Sequence, residues 1–332
     1  MAAGIGACLA VVSLGASPRI VFAHRGASGY LPEHDFAAKA MAHGQGADYL
    51  EQDIVLTKDN VPIILHDIHL DTVTDVARKF PSRKRADGRY YAIDFTLAEI
   101  RQLNATQRFD LKTGKSVWLH RFPLANYTYR LHTLEEEILF IEGLNISTGR
   151  GVGLFPEIKK PTFHRNEGRD IARVVYEVLR RFGYDRKSSR CLIQCFEQTT
   201  LRRFREEFGW QGHLALVIGG NKPGEDGTDY THLSTPAGMK EVAAFADAII
   251  PSPNRLVSWD DSGRLRVSDF ARDGRAAGLI VYAGAISRDA LPPHCPSWDA
   301  LHAALFEGAG VSGVCSDFTD LTVQWLAAHP LP

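Results

Sequence analysis

Nine short apolar segments punctuate the chain: RIVFAH (19–24), ADYLEQDIVL (47–56), VPIILH (61–66), GVGLFPEIK (151–159), CLIQCF (191–196), HLALVI (213–218), ADAIIPS (246–252), AGLIVYA (277–283) and VSGVCSD (311–317). Most are rich in β-branched residues or leucine and are bounded by Gly, Pro or Asp, as strands buried on both faces are. Amphipathic stretches lie between most of them. Asp35 can cap the helix FAAKAMAHG, whose end is marked by Gly44. In GRDIARVVYEVLRRFG (168–183) the apolar residues Ile171, Val174, Val175, Val178 and Leu179 fall at helical spacing. EQTTLRRFREEFG and SWDALHAALFEGAG read the same way. Buried strands alternating with helices over 332 residues predict a TIM-type (β/α)8 barrel.

Two places break the alternation. Between LEQDIVL and VPIILH stands only TKDN, a turn, so this pair predicts a hairpin after the second strand. Residues 67 to about 134 then hold no clear buried strand and many charges, which reads as an insertion after the third strand, sitting over one end of the barrel. Its basic run RKFPSRKRADGR (78–89) is more readily a solvated loop than a patch for an anionic surface. The barrel with its insertion accounts for residues 18–332. Residues 1–17, apolar and small but without a basic start, read either as a shortened export leader or as a disordered segment.

Composition removes some classes of partner. A formal net charge of −1 gives no overall field to attract nucleic acid. No run of about 18 apolar residues suggests a membrane span. Five cysteines are too few for a disulfide scaffold. Cys191 and Cys195, on one strand, would lie about 13 Å apart, beyond bonding reach, while Cys295 with Cys315 stays open.

The chemistry gathers at predicted strand ends. Glu51 and Asp53 are two residues apart on a strand, so both face one side with Cα atoms about 6.7 Å apart. Such a pair repels itself unless a cation lies between. An isolated E-x-D more often faces solvent or an arginine; what weighs here is its place on the rim that forms a barrel's active face. Glu157 ends another strand, and three carboxylates without a nearby cysteine suit Ca²⁺ or Mg²⁺ better than Zn²⁺. His24 and His66 fall on the same rim and can divide general acid and general base work. Arg25 and Lys159 add fixed positive charge that suits a phosphate. Gly26 and Gly29 let the backbone turn tightly after the first strand.

These residues resemble a known family. HRGASGYLPEHD, LEQDIVLTKDNVPIILHD, LHTLEEEI, FPEIKKPTFHRNEG and GVCSDFTD are similar to the glycerophosphodiester phosphodiesterases, particularly the bacterial periplasmic type, from about residue 19 to 322. The resemblance implies a barrel using one divalent cation held by Glu51, Asp53 and Glu157. It implies His24 and His66 as the acid/base pair, with Arg25 and Lys159 on the phosphate. The implied reaction splits a small glycerophosphodiester into glycerol 3-phosphate and an alcohol, with no obligatory protein partner. The likeness to exported enzymes points to Ca²⁺ over Mg²⁺ and to a periplasmic or secreted protein, though the ambiguous leader leaves the compartment open. Two departures stand out. Where the family has Asn or His and then Thr after P-E, this chain has His34 and Asp35. Where an aromatic residue is commonly followed by Thr near the last strands, Tyr282 precedes Ala283 and Gly284, in a region expected to shape the alcohol pocket.

Two other readings compete. A sphingomyelinase-type phospholipase D shares two histidines and an E-x-D site, but the insertion, FPEIKKPTF and LHTLEEEI favour the glycerophosphodiesterase. An inactive surface-binding relative would have lost a ligand or a histidine, and none is missing. The triplets at Asn104, Asn126 and Asn145 fit glycosylation only by a short and frequent pattern. His43, His120, His132, His164 and His213 read as structural or exposed.

Overall fold

The computed structural model describes residues 19–124 and 129–331; the leader and the Asn126 triplet lie outside the described residues. Strands β1 (Ile20–Ala23), β2 (Tyr49–Leu56), β3 (Pro62–Ile64), β4 (Gly153–Ile158), β5 (Leu192–Cys195), β6 (His213–Ile218), β7 (Ala248–Pro251), β8 (Val257–Trp259), β9 (Leu265–Val267), β10 (Ile280–Ile286) and β11 (Gly313–Ser316) are present. All except β3, β8 and β9 are parallel neighbours, and β1 pairs with both β11 and β2, which closes an eight-stranded barrel. The third strand turns back antiparallel on the second, Ile54 opposite Ile64, as TKDN predicts. The β8–β9 hairpin was not foreseen, because its strands are three residues long and β9 is wholly exposed. No helix among the described residues is long and apolar enough to cross a membrane.

Period two along each barrel strand sorts side chains into two shells. Leu50, Ile54, Leu154 and Ile158 face the surrounding helices and join the larger apolar cluster. Phe22, Phe155, Leu192 and Ile250 fill the barrel interior, with Tyr49 and Tyr282 packed beneath; the Phe22 and Phe155 ring centroids are 4.3 Å apart. The same inward parity carries Glu51, Asp53 and Glu157 to the upper end. Packing therefore fills the lower barrel and leaves the rim polar.

The first helix spans Phe36–Gly44, with Asp35 Oδ1 accepting from the Ala37 amide at 2.8 Å. Gly44 is its last helical residue; the left-handed glycine is Gly46 (φ 104°). The insertion forms a small core with the β2–β3 hairpin, in which Leu70, Val76, Phe95 and Leu103 pack on Val55, Ile63 and Leu65. Two arginines of its basic run are held in ion pairs: Arg85 with Asp94 and Glu167, and Arg89 with Asp71. The four described cysteines, Cys295 and Cys315 among them, are free thiols.

Candidate active site

His24 and Arg25 follow directly on β1. Arg25 (φ 57°) and Gly26 (φ 84°) are both left-handed, so the chain reverses at once and the Arg25 amide donates to Glu51 Oε2 at 2.6 Å. A non-glycine residue held there is strained, a cost that surrounding contacts must offset. Gly29 is needed for room, since a Cβ there would meet the Phe318 ring at 2.6 Å.

Both histidines are backed in the same way. His24 Nδ1 lies 2.6 Å from Asp317 Oδ1, one residue beyond β11, and Asp317 Oδ2 accepts from Arg121 Nη2 at 2.7 Å. His66 Nδ1 lies 2.6 Å from Asp67 Oδ1, and Asp67 Oδ2 accepts from Arg108 Nη1. An ionised carboxylate only accepts, so in each neutral ring the proton sits on Nδ1 and Nε2 is the basic nitrogen. The surroundings then separate the two. Burial disfavours charge on His24, but Glu51 and Asp317 outweigh it and raise the pKa above the usual imidazole value. For His66, burial, Arg25 and Lys159 act together and lower it to about 4.

Glu51 and Asp53 share the inward face of β2. Burial and then the charge of Asp53 push the Glu51 pKa up to about 7. Asp53 is held low against its own burial, chiefly by Lys159. Asp53 Oδ1 is buried and accepts no hydrogen bond, although Lys159 Nζ stands 3.3 Å away. One carboxylate raised by its neighbour, and an oxygen lacking a donor, form a set whose charge a divalent cation would balance. Ligand atoms of His34, Glu51 and Asp53 lie within 4.8 Å of one another, and the two carboxylates of that group fit such an ion.

Glu157 lies opposite Asp53 in the β2–β4 register but outside that group of three, with Oε1 accepting from Lys159 Nζ at 2.6 Å. His34 falls within that group, but its tautomer shows that it supports Asp53 and offers no free lone pair to an ion. Buried Lys39 Nζ is 3.4 Å from His34 Nδ1, and an ammonium can only donate. The ring proton therefore sits on Nε2, where it donates to Asp53 Oδ2 at 2.8 Å. Burial and then Lys39 depress the His34 pKa to about 3, so the neutral ring orients Asp53. Arg25 Nη1 donates to Glu33 Oε2 at 3.0 Å, while its Nε, buried and without a hydrogen bond, stands 3.6 Å from Asp53 Oδ2.

A cleft of about 540 Å³ beside this cluster is lined by His66, Glu157, Lys159, Phe196, Glu197 and Tyr230, among others. Phe196 also borders a neighbouring hollow of about 490 Å³ that reaches Ser252, Asn254 and Gly284. Tyr282 points elsewhere: its ring centroid is 4.8 Å from that of Phe22, deep in the barrel. The pocket-shaping place expected of its segment falls to Gly284.

Comparison with known proteins decides the class. The Glycerophosphoryl diester phosphodiesterase family matches residues 24–321. The chain belongs to this family. It is 40% identical over 328 residues to a glycerophosphodiester phosphodiesterase of Haemophilus influenzae, covering 93% of this chain and 90% of that protein. It is 37% identical to one from Treponema pallidum, covering 97% and 95%. Among solved structures, a phosphodiesterase of Oleispira antarctica in complex with the product sn-glycerol-3-phosphate superposes with a TM-score of 0.62 at 19% identity, over 94% of this chain and 97% of that one. A glycerophosphodiester phosphodiesterase from Agrobacterium tumefaciens gives 0.59 at 20% identity, over 92% and 99%. Both share the barrel fold.

Several site residues escaped the sequence reading. Asp67 carried a signal, standing beside His66, and so did Asp317, at a strand end in VCSD. Arg108 and Arg121 carried none, for their partners lie 41 and 196 positions away. The expected bystanders have structural partners: His164 Nε2 accepts from the Leu56 amide, and Asn104 donates to Asp75.

Proposed function

We propose that the chain hydrolyses glycerophosphodiesters such as glycerophosphocholine to glycerol 3-phosphate and an alcohol, using one divalent cation and His24 and His66. The observation that carries this reading is the setting of two aspartate-held imidazoles around the buried Glu51–Asp53 pair. Glu51, Asp53 and Glu157 would hold the cation, which when bound draws charge from the phosphoryl oxygens. Arg25 and Lys159 face the same space and grip non-bridging oxygens. His66, held neutral, accepts at Nε2 the proton of the oxygen that bonds to phosphorus, either that of water directly or that of the glycerol 2-hydroxyl, whose cyclic phosphate water then opens to glycerol 3-phosphate. The P–O bond to the alcohol breaks, and His24, the more basic ring, gives its proton to the leaving alkoxide. The glycerol 3-phosphate seen with the Oleispira antarctica phosphodiesterase supports that product. We place Ca²⁺ ahead of Mg²⁺, and the protein in the periplasm or outside the cell, on the likeness to exported enzymes.

The test is glycerol 3-phosphate release from glycerophosphocholine by metal-stripped protein, with Ca²⁺ and Mg²⁺ added back separately. Release restored by either ion, more strongly by Ca²⁺, is expected. Folded protein that releases none with either ion contradicts the reading.

A further inference from the structure

We infer that the insertion is part of the catalytic apparatus, with Arg108 and Arg121 as positioning residues that fix the two histidines through their aspartates. The inference rests on the proposed roles of His24 and His66. Each arginine holds the outer oxygen of the carboxylate whose inner oxygen holds an imidazole. Each also fastens that carboxylate to a barrel loop. Arg121 forms a fork on Asp289, with Nε and Nη2 both 2.8 Å from its oxygens, and its guanidinium lies 4.0 Å from the Trp118 ring centroid. Arg108 forms a fork on Glu33, with Nη2 to Oε1 at 2.6 Å and Nε to Oε2 at 3.0 Å, and Glu33 is the partner of Arg25.

A surface staple would not need this arrangement. The Arg121 side chain is 4% exposed and that of Arg108 is 15%, and planar five-donor groups suit two carboxylates at once. A carboxylate gripped on one oxygen only can rotate, and with it the imidazole that it orients. Without Arg121 the Asp317 carboxylate keeps, besides its imidazole, only the Ser28 hydroxyl, at 3.0 Å on its inner oxygen, and without Arg108 that of Asp67 keeps only the Thr72 hydroxyl, at 3.3 Å. Each ring is then directed more loosely, and turnover falls while substrate contacts survive.

Arg121→Ala and Arg108→Ala, each with its Lys counterpart, are compared with Arg101→Ala, which removes an exposed insertion pair with Glu136. Circular dichroism checks folding, kinetics on glycerophosphocholine give kcat and KM, and proton NMR follows the imidazole Nδ1–H resonances. The expected result is a kcat lower by about 10–100-fold, on the scale of lost orienting partners, with KM within about threefold. The His24 Nδ1–H signal shifts or broadens in Arg121→Ala, the His66 signal does so in Arg108→Ala, the Lys variants recover part of the rate, and Arg101→Ala matches the parent. Unchanged kcat with unmoved resonances overturns the inference, and so does a rise confined to KM. If an alanine variant does not fold, its Lys partner decides by the same readouts. The resonances report positioning even on a protein inert toward glycerophosphocholine, so failure of this inference is separable from failure of the proposed reaction.

Discussion

Glu51 is buried beside a second carboxylate, and its hydrogen bonds come from neutral donors, the Arg25 amide and Gln194. Its pKa in the folded chain, about 7, lies above the unfolded carboxylate value near 4.3. The sign follows by linkage: the unfolded chain releases this proton first, so folding stability is lost as pH rises through that window. The metal-free protein should therefore melt at lower temperature at pH 7.5 than at pH 5 through this group, and Ca²⁺ should restore more at the higher pH. Glu51→Gln removes the repulsion. It should raise the Tm of the metal-free protein by about 1–2 °C for each kcal/mol relieved and abolish turnover. Calorimetry across pH 5–8 on both proteins is the check; a variant with a lower Tm and full activity would contradict it.

At the scale of elements, a buried ionic cluster ties two helices to β2. Lys39, on the helix Phe36–Gly44, donates to the Glu51 carbonyl and pairs with Glu137 of the helix Leu134–Thr148 at 2.9 Å, and Glu137 also holds His132. Against burial, Lys39 first and then His132 depress Glu137 to about 2, so its contribution is present above the unfolded carboxylate pKa and is lost as pH falls from about 4.3 to 2. Lys39→Met leaves a buried charge uncompensated and should cost about 3–5 kcal/mol. The double change Lys39→Met with Glu137→Leu should recover most of that in urea unfolding; a double variant as unstable as the single one refutes the pairing. The capped helix itself was legible from Asp35 at its start and Gly44 at its end. The cluster was not, because Lys39 and Glu137 look like ordinary solvated charges until β2 and both helices close over them.

For the whole molecule, the barrel was readable because short apolar runs, buried on both faces, alternate with amphipathic stretches along the chain. The rim residues were readable as a consequence: a strand end is a local feature, and His24, His66, Glu157 and Lys159 each sit at or just past one, while Glu51 and Asp53, inside β2, were marked by their two-residue spacing on one face. What stayed hidden is what bridges distant segments, such as Arg121 reaching Asp317 across 196 positions. The insertion hid for a related reason. Its core is borrowed from the hairpin, with Val55, Ile63 and Leu65 supplying the floor, so no segment within it is apolar enough to announce a strand. His34 was visible, yet its part in orienting Asp53 depends on Lys39 behind it, a contact that no local pattern carries.

The central claim is that His24 and His66 perform opposite proton transfers on a glycerophosphodiester. The most direct measurement compares the parent, His24→Ala and His66→Ala on glycerophosphocholine and on the 4-nitrophenyl ester of glycerol 3-phosphate, whose leaving group needs little protonation. His24→Ala should lose about 10²–10⁴-fold on the choline ester and far less on the nitrophenyl ester, while His66→Ala should lose a similar factor on both. Equal losses on both esters for His24→Ala would contradict the assignment of the acid, and full activity in either variant would contradict the account of the site.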